Sequence, residues 1–322
     1  MLYGIVILKG ICDMLSNRAR ILNFDDSLIR QEMFLKKLDP EIVDFKRFGV
    51  ESRIWLDQQT ADEIYSALDP GSRNCPTFVG SGDYHHLSSL LVRQFEEPLT
   101  LIVFDHHPDW DILPPRLACA SWITHVLRRP NIKKVVLIGV SSEDISTRII
   151  NTGNLQAFAR DRLEIYPYRH RDTNVFFRQV PANSSITVKG RPPCSVIQWR
   201  ELFKENIPEA FAGIISRVDT RHVYISIDKD CLKAGHAMTN WEEGFLELKD
   251  MLRMLLMVKE RFDIIGVDIV GDYSKPVFND VVKKMYMFFD RHRDYTARDQ
   301  PMERITAVNE RTNLEIIKAL TA

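Results

Sequence analysis

The sequence predicts an α/β fold of three layers, in which helices cover both faces of a mostly parallel central sheet. Continuous apolar segments of strand length, such as Leu99–Phe104 and Asp263–Val270, are typical of strands that are buried on both faces. These segments alternate with amphipathic segments, and strands that alternate with helices favour a parallel sheet. The 322 residues contain no internal repeat and no shift in composition, so we expect one domain spanning residues 1–322.

Each element follows from its local pattern. The first ten residues, MLYGIVILKG, lack the basic start and the cleavage site of a signal peptide, and they predict a buried strand. Further strands are predicted at residues 77–79, 99–104, 134–140, 195–199, 223–227 and 263–270, and helices at 121–129, 246–261 and within 281–322. The helix at 246–261 is predicted from Leu248, Leu252, Leu255 and Leu256, and the C-terminal helical region, with Met285, Phe288 and Phe289, is expected to cover the sheet. Residues 151–200 are rich in turn formers and are interpreted as an excursion at the sheet edge.

Charge and cysteine usage exclude several classes of partner. Because 43 Lys and Arg nearly balance 44 Asp and Glu, the net charge of -1 favours neither nucleic acid nor an acidic membrane surface. No apolar run reaches the ~20 residues of a membrane span. Five widely spaced cysteines without a CxxC pair indicate a reducing, cytoplasmic setting rather than a disulfide framework. We therefore expect a small-molecule substrate, and a homo-oligomer remains open.

Three clusters of acidic and histidine residues directly follow predicted strands. Ligands of open parallel sheets bind at the carboxyl ends of the strands. In an extended chain alternate residues share a face, so the acidic residues within each cluster can converge. The members are Asp105, His107, Asp109 and Asp111 in the first cluster, Asp228 and Asp230 in the second, and His85 and His86 in the third.

Carboxylates gathered this closely repel one another unless a cation lies between them. Mixed imidazole and carboxylate ligands suit manganese, iron or zinc, and an excess of carboxylates favours two ions, because a carboxylate can bridge metals whereas an imidazole cannot. One such cluster alone usually forms a turn or a helix cap. Three in one chain, each at its own strand end, predict a metal site.

The motifs resemble those of the arginase, agmatinase and formimidoylglutamase superfamily. The segment DHHPD at 105–109 is similar to the DAHxD motif, SIDKD at 226–230 matches SxDxD, and GDYHHL at 82–87 aligns with GGDHSL. The resemblance implies an arginase-like fold and two divalent ions, Mn²⁺ in most of the family. One ion would be bound by His85, Asp105, Asp109 and Asp228, and the other by Asp105, His107, Asp228 and Asp230. The alignment selects His85 rather than His86 as the ligand.

The resemblance also implies an activity and several roles. A hydroxide that bridges the metals would attack a planar C–N centre of a guanidino, amidino or amide small molecule, and Asp109 would steady that hydroxide. Asp111 stands where arginase has a substrate-contacting asparagine, so it is a candidate substrate-binding residue that favours a cationic group.

The sequence departs from the family where catalysis is concerned. Gly271 replaces the glutamate that holds the guanidinium, and Asp272 is either its substitute or a turn residue. The loop with the proton-shuttling histidine has no counterpart, and His125 is either a substitute or a capping residue. Lys229 is expected to face away from the metal side. These departures argue against plain arginase or agmatinase activity.

Two alternatives to a ureohydrolase-type enzyme stay open. One is a binding protein that keeps the arginase fold but has lost hydrolysis, which Gly271 and the missing shuttle histidine favour. The other is an amide hydrolase that resembles histone deacetylases, for which the His106-His107 pair and Tyr273 are the relevant residues.

Overall fold

The computed structural model describes residues 19–70, 75–113, 116–289, 297 and 299–321. Its strands are β1 (Arg20–Asn23), β2 (Glu41–Asp44), β3 (Trp55–Leu56), β4 (Thr77–Gly80), β5 (Leu99–Phe104), β6 (Leu117–Ala118), β7 (Ile132–Ile138), β8 (Leu163–Tyr166), β9 (Thr173–Phe176), β10 (Ile186–Arg191), β11 (Cys194–Trp199), β12 (His222–Asp228) and β13 (Asp263–Val270). Its α-helices are α1 (Glu32–Leu38), α2 (Lys46–Ser52), α3 (Gln58–Ala67), α4 (Ser88–Val92), α5 (Trp122–Val126), α6 (Ile207–Ile215), α7 (Leu248–Arg261), α8 (Val281–Phe289) and α9 (Met302–Thr321). The strand predicted within the first ten residues lies outside the described residues.

Eight strands form the central sheet in the order β2-β1-β4-β13-β12-β5-β7-β8. Every neighbouring pair in this sheet is parallel, so all eight carboxyl ends lie at one edge. The strands β4, β13, β12 and β5 are adjacent at its centre, and the three acidic and histidine clusters follow β4, β5 and β12. The parallel order therefore brings segments that are more than 100 residues apart in sequence to one place.

Apolar side chains cover both faces of the sheet and form two separate cores. On one face, Met251, Met254 and Leu255 of α7 pack with side chains of α6 and α9. On the other face, Leu90 and Leu91 of α4 pack with Trp122, Ile123 and Val126 of α5. The predicted three-layer α/β architecture is confirmed.

Several predicted elements have different bounds or partners. The helix predicted at 121–129 is shorter in the structure. The helix α5 begins only after a 3₁₀ turn (Cys119–Ser121) and ends at Val126. In α7 the predicted Leu248 and Leu255 are buried, as are Met251 and Met254, whereas Leu256 is 42% exposed. Met285 of α8 is 55% exposed rather than covering the sheet, and the side chains of Phe288 and Phe289 lie outside the described residues. The helix α9 does cover the sheet side, through Ile316, Ile317 and Leu320.

The excursion predicted at 151–200 contains more regular structure than its turn-rich sequence indicates. Its first strand, β8, extends the edge of the central sheet. The strands β10, β11 and β9 then form a separate antiparallel sheet, in that order.

No helix among the described residues combines the length and apolar character that crossing a membrane requires.

Candidate metal centre

Three strand ends place the six predicted metal ligands around one point. After β4, a 3₁₀ turn (Gly82–Leu87) carries His85, which is 1% exposed. After β5, Asp105 is also buried, and Asp109 follows four residues later. At the end of β12, Asp228 accepts a hydrogen bond from the backbone N–H of Asp230 (3.0 Å), which fixes the turn that presents both carboxylates.

His85 faces the carboxylates with one ring nitrogen and the protein interior with the other. Its Nδ1 lies 3.1 Å from Asp105 Oδ2, 3.1 Å from Asp109 Oδ2 and 3.7 Å from Asp228 Oδ2. Its Nε2 lies 3.0 Å from Ser226 Oγ, and that hydroxyl donates to Asp268 Oδ1 at 2.8 Å. Because the Ser226 hydroxyl uses its hydrogen in the hydrogen bond to Asp268, its oxygen can only accept a hydrogen bond from His85 Nε2. Nδ1 is thereby the ring nitrogen that a cation would take, in exchange for the proton that Asp105 and Asp109 favour there.

His107 is oriented in the same way by a different acid. Its Nδ1 lies 3.0 Å from Asp230 Oδ2 and 3.8 Å from Asp105 Oδ1. Its Nε2 lies 3.2 Å from Glu242 Oε2, and a carboxylate can only accept, so Nε2 carries the proton. In both histidines Nδ1 is therefore the nitrogen that faces the carboxylates, and a cation bound there would displace the proton that the raised pKa keeps on the ring.

Asp105 is shared between two groups of candidate ligands. One group is His85, Asp105 and Asp109, and the other is Asp105, His107 and Asp230; within each, the ligand atoms lie within 4.8 Å of one another. The buried Oδ2 of Asp105 accepts no hydrogen bond from any described residue. A carboxylate that belongs to both groups and has an unsatisfied oxygen fits a bridge between two cations.

Backbone geometry holds the carboxylates in place. Asp109 has a φ of 46°, a conformation that side-chain-bearing residues rarely adopt, and its Oδ2 accepts a hydrogen bond from Trp122 Nε1 at 2.8 Å. Gly271 has a φ of 87°, and a Cβ there would lie 2.5 Å from Asp228 Oδ1. The chain therefore has no room for a glutamate at 271 while Asp228 occupies this position.

The electrostatics of the cluster favour binding of a cation. Burial, with the neighbouring charges of Asp109 and Asp230, raises the pKa of Asp105 well above its usual value. Burial and Asp230 raise the pKa of Asp228 to about 8. Burial alone would lower the pKa of His85, but Asp105 and Asp109 raise it well above its usual value. In the absence of a cation the cluster therefore retains protons, and divalent ions would replace them.

A cavity of about 520 Å³ opens above the cluster. Its walls are mostly apolar, with Trp55, Leu113, Ile149 and Val282 among the lining residues. Asp111, the predicted substrate-binding residue, lines it and accepts a hydrogen bond from Thr152 Oγ1 at 2.8 Å. The cavity is within the volume range of small-molecule sites.

Asp272 does not face this cavity. Its carboxylate is buried on the opposite side of the sheet edge, 2.9 Å from Lys229 Nζ, and it accepts hydrogen bonds from Gln31 Nε2 (2.6 Å) and Asn313 Nδ2 (3.3 Å). The expectation that Lys229 faces away from the metal side is met. Asp272 pairs with this lysine, so the structure gives no geometric support to its predicted catalytic role.

His125 is also not brought to the cluster. Its Nε2 lies 3.0 Å from the carbonyl oxygen of Arg116, and it lines a different cavity. Tyr273 packs beside Met238 and Ile305 and does not line the cavity above the cluster. His86 lies beside the Cys119 thiol (3.4 Å), which leaves His85 as the histidine of the cluster.

Sequence reasoning missed the residues that orient the ligands. Glu242 lies between the SIDKD motif and the predicted helix at 246–261, where no site residue was predicted, and Asp268 lies in a segment recognised only as a strand. The strand patterns do offer a signal for Asp268: an acid within a continuous apolar run needs a buried partner, here Tyr224, Ser226 and Ser88.

Comparison with known proteins places the fold. No known protein-family model matches the chain. An uncharacterized protein of Thermotoga maritima is 26% identical over 259 residues, which cover 80% of this chain and 81% of that protein. The arginase of the yeast Glaciozyma antarctica aligns with a TM-score of 0.53 and 14% identity, covering 96% of this chain and 97% of that one. Trypanosoma cruzi formiminoglutamase with Mn²⁺ aligns with a TM-score of 0.52 and 11% identity, covering 94% of each chain. The chain thus has the arginase-like fold that its motifs predicted.

Proposed function

We propose that this chain is a hydrolase that holds two divalent ions, Mn²⁺ by preference, and cleaves a C–N bond in a guanidino, amidino or amide small molecule. The convergence of Asp105, Asp109 and Asp230 with two oriented imidazoles carries this proposal, because such a set binds cations and lies beneath a cavity of small-molecule size. Asp228 adds a fourth carboxylate, 3.7 Å from His85 Nδ1. The arginase and formiminoglutamase folds support the reaction class, and the Mn²⁺ in the latter supports the metal.

The cluster's own residues would each have a defined task. His85, Asp105, Asp109 and Asp228 would hold one ion, and Asp105, His107, Asp228 and Asp230 the other. Two divalent ions bound there would act as Lewis acids on the substrate and lower the pKa of a water molecule, so that it attacks at neutral pH. Asp109, whose Oδ2 is fixed by Trp122, would accept a hydrogen bond from the attacking water.

Substrate selection would differ from that of enzymes with a glutamate at position 271. Gly271 offers no carboxylate there, and Asp272 is committed to Lys229. The carboxylate of Asp111 then becomes the candidate that holds a cationic or donor group of the substrate, as its orientation by Thr152 allows.

A second candidate is a binding protein that retains the metals without turnover. Two observations favour it. Asp272 pairs with Lys229, and His125 lines a different cavity, so both predicted catalytic groups are missing from the cavity above the cluster. The two candidates agree on the metals and differ only in catalysis.

Metal content per chain, measured after manganese loading, tests both. We expect close to two ions in the wild type and far fewer in Asp228→Asn. The control is Asp39→Asn, an exposed left-handed residue at the end of α1, which should bind as the wild type does. Absence of metal from the wild type would refute both candidates.

A panel of guanidino, amidino and acyl-amine compounds then separates them. Turnover that is lost in Asp228→Asn supports the hydrolase. Saturable binding of a compound without turnover, in protein that holds two ions, supports the binding protein.

A further inference from the structure

A second cavity, of about 650 Å³, lies beside the one above the metal centre. Trp55 and Arg116 line both cavities. The ribbon of β3 and β6 separates them, with Trp55 paired to Ala118 and Leu56 to Leu117. Because side chains alternate along a strand, Leu117 lines the second cavity while Ala118 lines the first. A ligand in the second cavity would thus lie against the wall of the first.

Basic side chains dominate one part of this second cavity. Arg93, Arg116, His125 and Arg129 line it, together with Lys283. Lys283 is only 4% exposed, and its Nζ donates to the backbone carbonyls of Glu51 and Trp55 (2.7 Å to Trp55). Burial lowers the pKa of Lys283 to about 8, so it still carries its charge at pH 7.

The acids that line the same cavity neutralise this charge only in part. Asp57 caps α3 by accepting from the backbone N–H of Thr60 (2.8 Å), and Glu51 Oε1 accepts from Thr60 Oγ1 (3.2 Å). Both carboxylates are therefore directed to the start of α3. Asp280, the third acid, lies beside Lys283 and raises its pKa.

The arginines keep hydrogen-bonding capacity for a ligand. Arg93 pairs with Asp62 at 3.1 Å, but both side chains are half exposed, and such surface pairs are weak and exchange readily. Arg129 bonds to the carbonyl of Phe95 and to the exposed Glu96, and its Nε has no acceptor among the described residues. Guanidinium groups bind oxyanions through paired, charge-assisted hydrogen bonds.

Trp55 connects the two cavities physically. The Lys283 Nζ lies 5.3 Å from the centre of its ring, and the Arg116 guanidinium carbon lies 6.0 Å from it. These cations interact with the ring. An anion that draws Arg116 toward the second cavity would alter the surroundings of Trp55, which also lines the metal-centre cavity.

We propose that the second cavity is a binding site for a small multivalent oxyanion, held by Arg93, Arg116 and Arg129 and sensed by Trp55. The site is separate from the metal ligands, so it does not depend on the proposed function. Its volume accepts a ligand larger than a single phosphate or carboxylate group.

The test is a calorimetric titration of protein that has been stripped of metal with a chelator and then freed of the chelator by dialysis, with pyrophosphate in one arm and citrate in the other. Removing metals prevents the anion from binding at the metal centre. We expect saturable binding of at least one probe, and at least a tenfold higher Kd in Arg93→Gln and in Arg129→Gln. The control is Arg253→Gln, which removes the same charge from the exposed face of α7 and should leave Kd unchanged. The arm that saturates distinguishes phosphate from carboxylate ligands.

Tryptophan fluorescence locates the site. Binding should change the emission of the wild type and not that of Trp55→Phe. Saturable binding with the same Kd in Arg93→Gln and Arg129→Gln as in the wild type would overturn the proposal. The absence of binding up to about 10 mM of either probe would also overturn it. Arg93 and Arg129 are both partly exposed, so their variants are expected to fold.

Discussion

Two buried groups of charges lie back to back at the end of β12, and they differ in balance. On one side, Lys229 is paired with Asp272 at 2.9 Å, and Asn313 and Gln31 complete the hydrogen bonds of the pair. On the other side, Asp228 and Asp230 face further carboxylates and two histidines. The 3₁₀ turn after β12 (Lys229–Cys231) directs the lysine to one side and Asp228 and Asp230 to the other.

The difference separates a structural charge cluster from a binding site. The Lys229 group is complete within the protein, because each buried charge has an opposite charge and hydrogen-bond partners. The Asp228 group is incomplete, because burial and neighbouring carboxylates raise the pKa of Asp105 and of Asp228, and Asp105 Oδ2 accepts no hydrogen bond among the described residues. This comparison also explains why an aspartate stands at position 272. The buried Lys229 needs a carboxylate partner, and Asp272 supplies it.

Removing Lys229 should destabilise the buried charge cluster that it forms with Asp272. Lys229→Met leaves Asp272 buried without its cation, which we expect to lower the free energy of unfolding by about 3–5 kcal/mol. The measurement is urea unfolding in chelator, so that metal loss does not contribute. Lys249→Met, on the exposed face of α7, is the control. The double variant Lys229→Met with Asp272→Asn should recover part of the loss, and a single-variant loss under about 1 kcal/mol would contradict the balanced-pair interpretation.

Metal removal should lower stability only through the carboxylate and histidine cluster that contains Asp228. Manganese at 100 times its Kd should raise the free energy of unfolding of the wild type over chelated protein by about 2.7 kcal/mol for each ion bound. The same comparison in Asp228→Asn should show little difference, whereas Asp39→Asn should match the wild type. Thermal melting with and without manganese measures this, and equal stabilisation of Asp228→Asn would show that the ions bind elsewhere.

The metal-free protein should also lose stability as pH rises. Burial and Asp230 raise the pKa of Asp228 to about 8, so between pH 4 and pH 8 the folded protein keeps a proton that the unfolded chain releases. In that window the free energy of unfolding falls with rising pH. In Asp228→Asn this contribution is absent, and we expect the fall to be smaller by at least about 1.4 kcal/mol, equivalent to one pKa unit. Urea unfolding in chelator at pH 5 and pH 8 gives both slopes; parallel slopes would contradict the shift.

The sequence predicted the part of the fold that rests on continuous burial. The strands Leu99–Phe104 and Asp263–Val270 have the predicted bounds, because strands buried on both faces are apolar throughout. Half-buried or short elements left no such pattern, and residues 20–67, with three short strands and three helices, received no prediction. The buried methionines of α7 show the same limit, since Met and Leu exchange freely in a core.

The candidate ligands were predictable because each cluster sits at its strand end within a few residues. The partners that orient them were not, because they come from elsewhere in the chain: Glu242 lies 135 residues from His107. Asp272 shows the opposite error. Its position after β13 placed it at the right edge of the sheet, but sequence could not tell which side its carboxylate faces, and the charge of Lys229 decides that.

The smallest expected effect tests the orienting role of Glu242. Glu242→Gln keeps the shape of the side chain but weakens the hydrogen bond to His107 Nε2, so His107 is held less firmly with Nδ1 toward the carboxylates. Loss of such a partner typically costs 10- to 100-fold in metal affinity, and a charge-to-amide change should lie near ~10-fold. Glu243→Gln, the exposed neighbour, removes the same charge without touching His107 and should bind manganese as the wild type does. Competition for manganese with a fluorescent chelator measures both. If both variants lose manganese affinity equally, Glu242 acts only through its charge. If only Glu242→Gln loses affinity, the hydrogen bond from His107 to Glu242 is what supports metal binding.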